Sequence, residues 1–295
     1  MNTSRFLFTN ISLALALSVA AQGASAQQRL NFVACPIIQD TNNVPCWLAE
    51  HEGELYFLGI QTDSGGWTSP LQGHKLLVEA VVTDNPRVCG GIVLASPGSV
   101  FDRRSSGSAN GVALPDPPVT SPLRELDNSC RTVLPEQPRF NTLEPRRGPG
   151  PSEALPPRTP EQIAEAQRAA AARAEAERPR PPFTARTFEL HYEFDSELAG
   201  LTINQLQAAL QYATAIGAKR MEVTGYRAAA LLSNGEQIEE LPAMARLRAQ
   251  ELETTIRMFG LPEGLELTVR WDDALQSGKG IDDWSRRKSA IVVSP

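Results

Sequence analysis

Histidine is scarce, with three in 295 residues, and none of His51, His74 or His191 stands beside a Ser or Cys in a nucleophile motif. That scarcity leaves no recognisable catalytic constellation. No Gly-rich phosphate loop opens a helix; Gly90-Gly91 falls inside a β-like run, where paired glycines mark a bulge or a close strand crossing. A basic excess is also missing. The 28 Lys and Arg against 34 Asp and Glu give a formal net charge of −6, the wrong sign for neutralising nucleic-acid phosphates. Beyond the N-terminus no apolar run approaches the roughly 20 residues that a membrane-spanning helix needs. There is no C-x-x-C pair and no C-x-x-C-H haem signature. The expectation is a non-enzymatic protein with no cofactor, no metal, no nucleic-acid partner and no transmembrane helix in the mature chain.

What is present begins with an address. Arg5 precedes the apolar run Ile11 to Ala21 (ISLALALSVAA), which is too short to span a bilayer. It ends in Ala24-Ser25-Ala26, a small-x-small cleavage pattern. Residues 1–26 therefore read as a secretory signal peptide, with Gln27 the first mature residue. Four cysteines follow, Cys35, Cys46, Cys89 and Cys130, and an even count in an exported chain predicts disulfides. Three connectivities are open. The pairing expected is Cys35 with Cys130, closing the domain end to end, and Cys46 with Cys89 across its core. A metal site that adds His74 is the sharper alternative, and the ligand spacing does not support it.

Residues 27–134 read as a β-rich, disulfide-linked domain, with short apolar runs at 55–60, 75–83 and 88–95 separated by turn residues. The stretch Gly73 to Val82, followed by a turn and a further strand, loosely resembles the opening of an OB-type barrel, so a small barrel-like domain is expected. Residues 101–120 (RRSSGSANG, then PDPP) read as an exposed insertion. From 135 to 182 proline, arginine, alanine and glutamate dominate, the composition of a linker. One helix is expected inside it, over about 160–178: Thr159 caps, Pro160 takes the first position, and Gln162 completes a capping box.

Residues 183–295 alternate strand and helix in the order β-α-β-α-β-β, an α+β sandwich with its helices on one sheet face. Phe188, Leu190, Tyr192 and Phe194 fall on one side of FELHYEF. A helix follows from Leu201 to Ile216, with a second capping box at Thr202 and Gln205 and a stop at Gly217. A strand from Arg220 to Thr224 runs into an expected tight turn at Gly225. A long helix from about Pro242 to Phe259 and strands at 265–271 and 290–293 complete the set.

Tyr192-Glu193-Phe194-Asp195-Ser196, Val223-Thr224-Gly225, Arg248-Ala249 and the basic pair Arg287-Lys288 occur in this order. In those residues the block from about 186 to 295 resembles the OmpA-like family, whose domains hold peptidoglycan in the Gram-negative envelope. In that family the strand runs into Thr-Gly-His-Thr-Asp, and the second helix carries Asn-x-x-Leu-Ser-x-x-Arg-Ala. Its Asp and Arg clamp the ammonium and carboxylate of diaminopimelate. A zwitterion needs one partner of each sign, and charge-assisted contacts of this kind are strong.

The resemblance places the weak peptidoglycan or anion site on Gly225, Tyr226, Arg227, Arg248 and Asp195. Ala228 stands where the Asp is expected, so half the clamp is missing. Two roles for Arg248 stay open: it binds a carboxylate, with Asp195, Asp282 or Asp283 taking the amine, or it is a helix-surface residue paired with a nearby acid. A calcium site at Asp272, Asp273, Asp282 and Asp283 lacks EF-hand spacing and reads as a solvated acidic loop.

The function implied is an exported cell-envelope protein, in the periplasm or at the periplasmic face of the outer membrane. It would be structural or scaffolding, with peptidoglycan bound weakly or not at all, or with another envelope protein as its partner. The alternative is a periplasmic small-molecule or oligosaccharide binder, or an enzyme accessory, acting through the N-terminal domain.

Overall fold

Alternating apolar side chains build the first sheet. The computed structural model describes residues 28–41, 45–60, 71–98, 108–109, 112–135, 159–200 and 202–295. The expected signal peptide and the linker residues 136–158 lie outside them. Strands β1 (Arg29–Ala34) and β2 (Pro36–Gln39) are separated by Cys35 alone, and β3 (Cys46–His51) and β4 (Glu54–Ile60) follow. The β3–β4 hairpin turns on Glu52-Gly53, both at positive φ (53° and 78°), the combination that suits the twist of a two-residue turn.

Next come β5 (His74–Val82), β6 (Ile92–Ala95), the short pair β7 (Ser108–Ala109) and β8 (Val112–Ala113), β9 (Val119–Leu126) and β10 (Thr132–Leu134). Strand β5 is central: it pairs antiparallel with β1 along one edge and with β9 and then β6 along the other. Strand β4 runs parallel to β6, and β2 pairs with both β3 and β10.

Both faces of β3 and β4 are buried. Trp47, Ala49, Tyr56 and Leu58 join Phe32, Leu76 and Val78 in one cluster, while Cys46, Leu48 and Phe57 join Val88, Cys89 and Leu114 in another. Gly91 permits the close crossing expected of the paired glycines, because a Cβ there would lie 2.7 Å from the Phe57 nitrogen. The cost is a strand shorter than expected, since Val88 and Gly91 close a turn on each other before β6 begins. Residues 101–120 are not wholly an exposed insertion. Leu114 is buried, and Val119 and Thr120 begin β9 as buried residues.

The disulfides join Cys35 to Cys130 and Cys46 to Cys89, as expected. His74 does not join a ligand-like group with the cysteines; its Nδ1 lies 2.7 Å from the Leu123 carbonyl oxygen. Helix α1 (Pro160–Glu177) carries both arms of the Thr159/Gln162 capping box. Every described side chain along it is exposed.

The C-terminal region consists of β11 (Arg186–His191), α2 (Asn204–Ile216), β12 (Arg220–Leu231), β13 (Gln237–Glu239), α3 (Met244–Phe259), β14 (Glu266–Gln276), a 3-10 turn at Asp283–Arg286, and β15 (Lys288–Ser294). Its order β11-β15-β12-β14 is mixed, with β12 parallel to β14 and antiparallel to β15. Leu206, Ala209, Ala213 and Ile216 of α2, with Leu252 and Ile256 of α3, pack on Phe188, Leu190, Val223 and Ile291.

Three details depart from the sequence reading. Strand β12 does not end at Thr224 but runs on to Leu231, and β13 is an added strand paired with its far half. The second capping box does not form. The Thr202 hydroxyl accepts from the His191 N–H at 2.6 Å, and α2 starts behind Ile203 with no side-chain cap. The two sheets are also not held apart by the linker. Leu77 of β5 packs with Phe194, Ala230 and Leu232, and the Phe194 N–H donates to Ser121 Oγ at 2.8 Å. The described residues thus form a mixed α/β structure with three helices, two main sheets and two disulfides. None of its described helices is long and apolar enough to cross a membrane.

Candidate functional site

The residues singled out by the resemblance converge where β12 passes the start of α3. Gly225 is needed for proximity, not for turning, since a Cβ there would collide with the Ala245 carbonyl and crowd the Ala249 nitrogen. This close approach brings Arg248, one turn along α3, beside Tyr226 and Ala228. Beyond Gly225 the chain stays extended, with a register shift against β14 between Tyr226 and Arg227. The expected turn, and with it an open ligand loop, is absent at this point.

Arg248 is not a surface residue; it is 0% exposed. Its Nε donates to the Ser196 carbonyl at 2.9 Å, and one terminal nitrogen donates to the Tyr226 carbonyl and to Glu240 Oε2, both at 2.8 Å. The other terminal nitrogen donates to the Glu193 carbonyl at 3.3 Å and makes a short bond to Glu240 Oε1. A guanidinium has five N–H donors, and each here has a partner within the chain. The plane also stacks over Tyr192, 4.7 Å from its ring centroid.

Glu240 is as fully engaged as its partner. Its carboxylate accepts from the backbone N–H of Asp195 at 3.0 Å and of Ala228 at 2.8 Å, besides the two guanidinium bonds. Position 228 is an alanine, and the residue just after β13 brings an acid beside it: Ala229 pairs with Glu239 in the hairpin, and the Glu240 N–H donates to the Ala228 carbonyl. The sequence reading missed Glu240. The signal that finds it is Ser233-Asn234-Gly235 between two strand-like runs, a hairpin turn that folds residue 240 back beside 228.

The acids considered for the amine are all otherwise occupied. Asp195 Oδ1 accepts from the Leu241 N–H at 2.8 Å, and partial burial pushes its carboxyl above the usual range. Asp282 pairs with Arg29 at 2.8 Å. Asp283 is buried and accepts from the N–H groups of Leu231, Lys279 and Gly280 and from Arg286. It is a loop organiser, not part of a solvated acidic loop. Arg227 is half-buried and donates to the carbonyls of Asp273 and Glu240.

Of the basic pair, Arg287 is buried and forms a bidentate pair with Glu79 of β5, 208 residues away, while Lys288 pairs with Glu189. Burial pushes the Glu79 carboxyl up against the pull of Arg287, and the Glu79 charge holds Arg287 protonated. Trp284 packs edge-on against His191. His191 is half-buried, and burial lowers its pKa.

Among the described residues the one cluster of His, Cys, Asp or Glu with ligand-like spacing is Cys35, Asp127 and Cys130, and its two sulfurs are joined as a disulfide. A cleft of about 640 Å³ lies elsewhere, lined by Arg29, Val81, Ser96, Gly98 and Asp116 among others. Arg248 does not line it.

No protein-family model matches the chain, and neither a curated protein nor a solved structure is significantly similar to it. The geometry therefore carries the functional reading by itself.

Proposed function

We propose that this is a non-enzymatic scaffold protein of the Gram-negative cell envelope, exported to the periplasm. Its C-terminal region keeps an OmpA-like fold and has given up the diaminopimelate clamp. The fold reading is supported by the mixed order β11-β15-β12-β14 with two helices packed on it. For the N-terminal region, β1 and β2 form one extended run broken only at Cys35. Pairings from β1 through β5, β6, β4 and β3 lead back to β2, which supports a small, loosely OB-like barrel. Two disulfides fit an oxidising compartment.

The observation that carries the loss of wall binding is the closed circuit at Arg248, whose five N–H groups are all directed at the chain's own oxygens. Binding a stem peptide there would first require breaking a buried ion pair, a cost of about 3–5 kcal/mol. The recess serves instead to fix the hairpin on which the N-terminal sheet docks. Sedimentation with purified sacculi tests this: little protein should pellet, and Arg248→Ala should not change the amount. Strong pelleting abolished by that substitution would overturn the proposal.

A second reading is favoured by one feature, the cleft at Arg29 and Asp116, which suits a small polar ligand or oligosaccharide on the N-terminal region. A thermal-shift screen with soluble oligosaccharides separates it from the scaffold reading. Stabilisation lost on Asp116→Ala would favour the ligand.

A further inference from the structure

We propose that the recess at Arg248 is a monocarboxylate site held shut by the chain's own Glu240, which acts as a built-in ligand. This rests on the reading of Arg248 as internally satisfied, and it adds the ligand class and what governs access. Four N–H groups converge on the Glu240 carboxylate: two from Arg248 and the backbone groups of Asp195 and Ala228. They match the roughly four lone-pair sites that a carboxylate presents. None of the four belongs to the segment that carries Glu240.

The carbonyls of Ser196, Tyr226 and Glu193, with the Tyr192 ring, hold the guanidinium independently of Glu240. Removing the carboxylate therefore leaves donors already aimed at the space it filled. Ala228 offers no acid for an ammonium, and Asp195 is committed to Leu241. The ligand class is a simple carboxylate and not a zwitterion.

Access is tied to the N-terminal sheet. Glu240 arrives on the β12–β13 hairpin, whose Ser233 and Leu231 bond to Asn31 of β1. Docking of β1 and vacating of the site oppose each other, so an external carboxylate and the docked sheet compete.

The test is thermal unfolding of full-length Glu240→Ala in sodium acetate, up to about 100 mM, against chloride at matched ionic strength. Acetate should raise its midpoint saturably, by about 3 °C or more, and leave the wild type and Glu240→Gln unmoved. Equal midpoints in the two salts overturn the proposal. So does a rise that persists in an Arg248→Met, Glu240→Ala double variant. If Glu240→Ala is recovered unfolded, refolding in each salt asks the same question: native circular dichroism regained only in acetate supports the site, and none in either overturns it. Sacculus binding by the wild type would sink the scaffold reading without touching this result, and a failed acetate response would sink this inference alone.

Discussion

Two buried arginines lie against the segment from Tyr192 to Ser196, and they are neutralised in different ways. Arg248 finds its carboxylate eight residues back along the chain, on a hairpin of its own region, and every N–H it has is accepted. Arg287 finds its carboxylate 208 residues away, on β5 of the other sheet, and beyond Glu79 its only other acceptor among the described residues is the Tyr192 carbonyl at 3.4 Å. The first pair is complete whether or not the sheets meet. The second exists only when they do. A buried ion pair is weak evidence for stability, because desolvation offsets much of its attraction, but it is sensitive to register. Arg248–Glu240 thus fixes a local fold, and Arg287–Glu79 reports docking.

The sharpest way to break this contrast is Arg248→Ala. It leaves Glu240 buried with no opposite charge, and the expected loss is about 3–5 kcal/mol in urea unfolding. The loss should appear as a lower midpoint of a transition that stays single. Glu79→Ala should have a smaller effect, about 3 kcal/mol or less, because Arg287 can regain water when the sheets separate. Its signature is different in kind: one thermal transition should split into two. Splitting by Arg248→Ala with a single transition in Glu79→Ala would reverse the assignment.

Tyr192 touches both pairs, its ring under Arg248 and its carbonyl accepting from Arg287. Burial pushes its phenol from 10.0 up to about 12, with Arg248 and the bond to Ser289 pulling the other way. A raised folded pKa contributes stability that is fully present below the unfolded value and is lost as pH rises. Stability should therefore fall between about pH 10 and pH 12, by up to about 3 kcal/mol, as the unfolded chain releases a proton that the native one retains. Urea midpoints across that range should decline more steeply in the wild type than in Tyr192→Phe. Equal slopes would mean that the phenol titrates normally.

Local signals in the sequence were legible. The capping box at Thr159 and Gln162 and the stop at Gly217 depend on a few adjacent residues, and both form. Longer-range competition hid the rest. Thr202 has the spacing of a cap, but its hydroxyl is taken by a strand eleven residues back. Gly225 looks like a turn residue, yet what demands glycine is the backbone of α3 lying against it. For that reason the extension of β12 and the hairpin bringing Glu240 were not seen, although Asn234-Gly235 marks the turn. The Arg287–Glu79 contact has no local trace at all. Nothing near Glu79 in KLLVEAVV distinguishes a buried partner from a solvated edge residue, and only docking of two sheets decides it.

The smallest effect tests whether the rim of the interface matters beside these buried charges. Arg124 of β9 donates twice to the Asp195 carbonyl, at 3.1 and 2.7 Å, and once to Glu197 at 3.1 Å, with its side chain 46% exposed. Exposed ion pairs contribute roughly 0–1 kcal/mol, since water screens them and holding two long side chains costs entropy. Arg124→Ala should accordingly lower stability by about 1 kcal/mol or less and leave a single transition. The Asp195 carbonyl, unlike Glu79 or Glu240, can turn to water once Arg124 is gone. Adding about 0.5 M salt, which screens exposed charges much more than buried ones, should shrink the Arg124→Ala effect and leave those of Arg248→Ala and Glu79→Ala nearly unchanged. An Arg124→Ala loss that matches Glu79→Ala and resists salt would place the docking energy at the rim and remove the distinction between the two arginines.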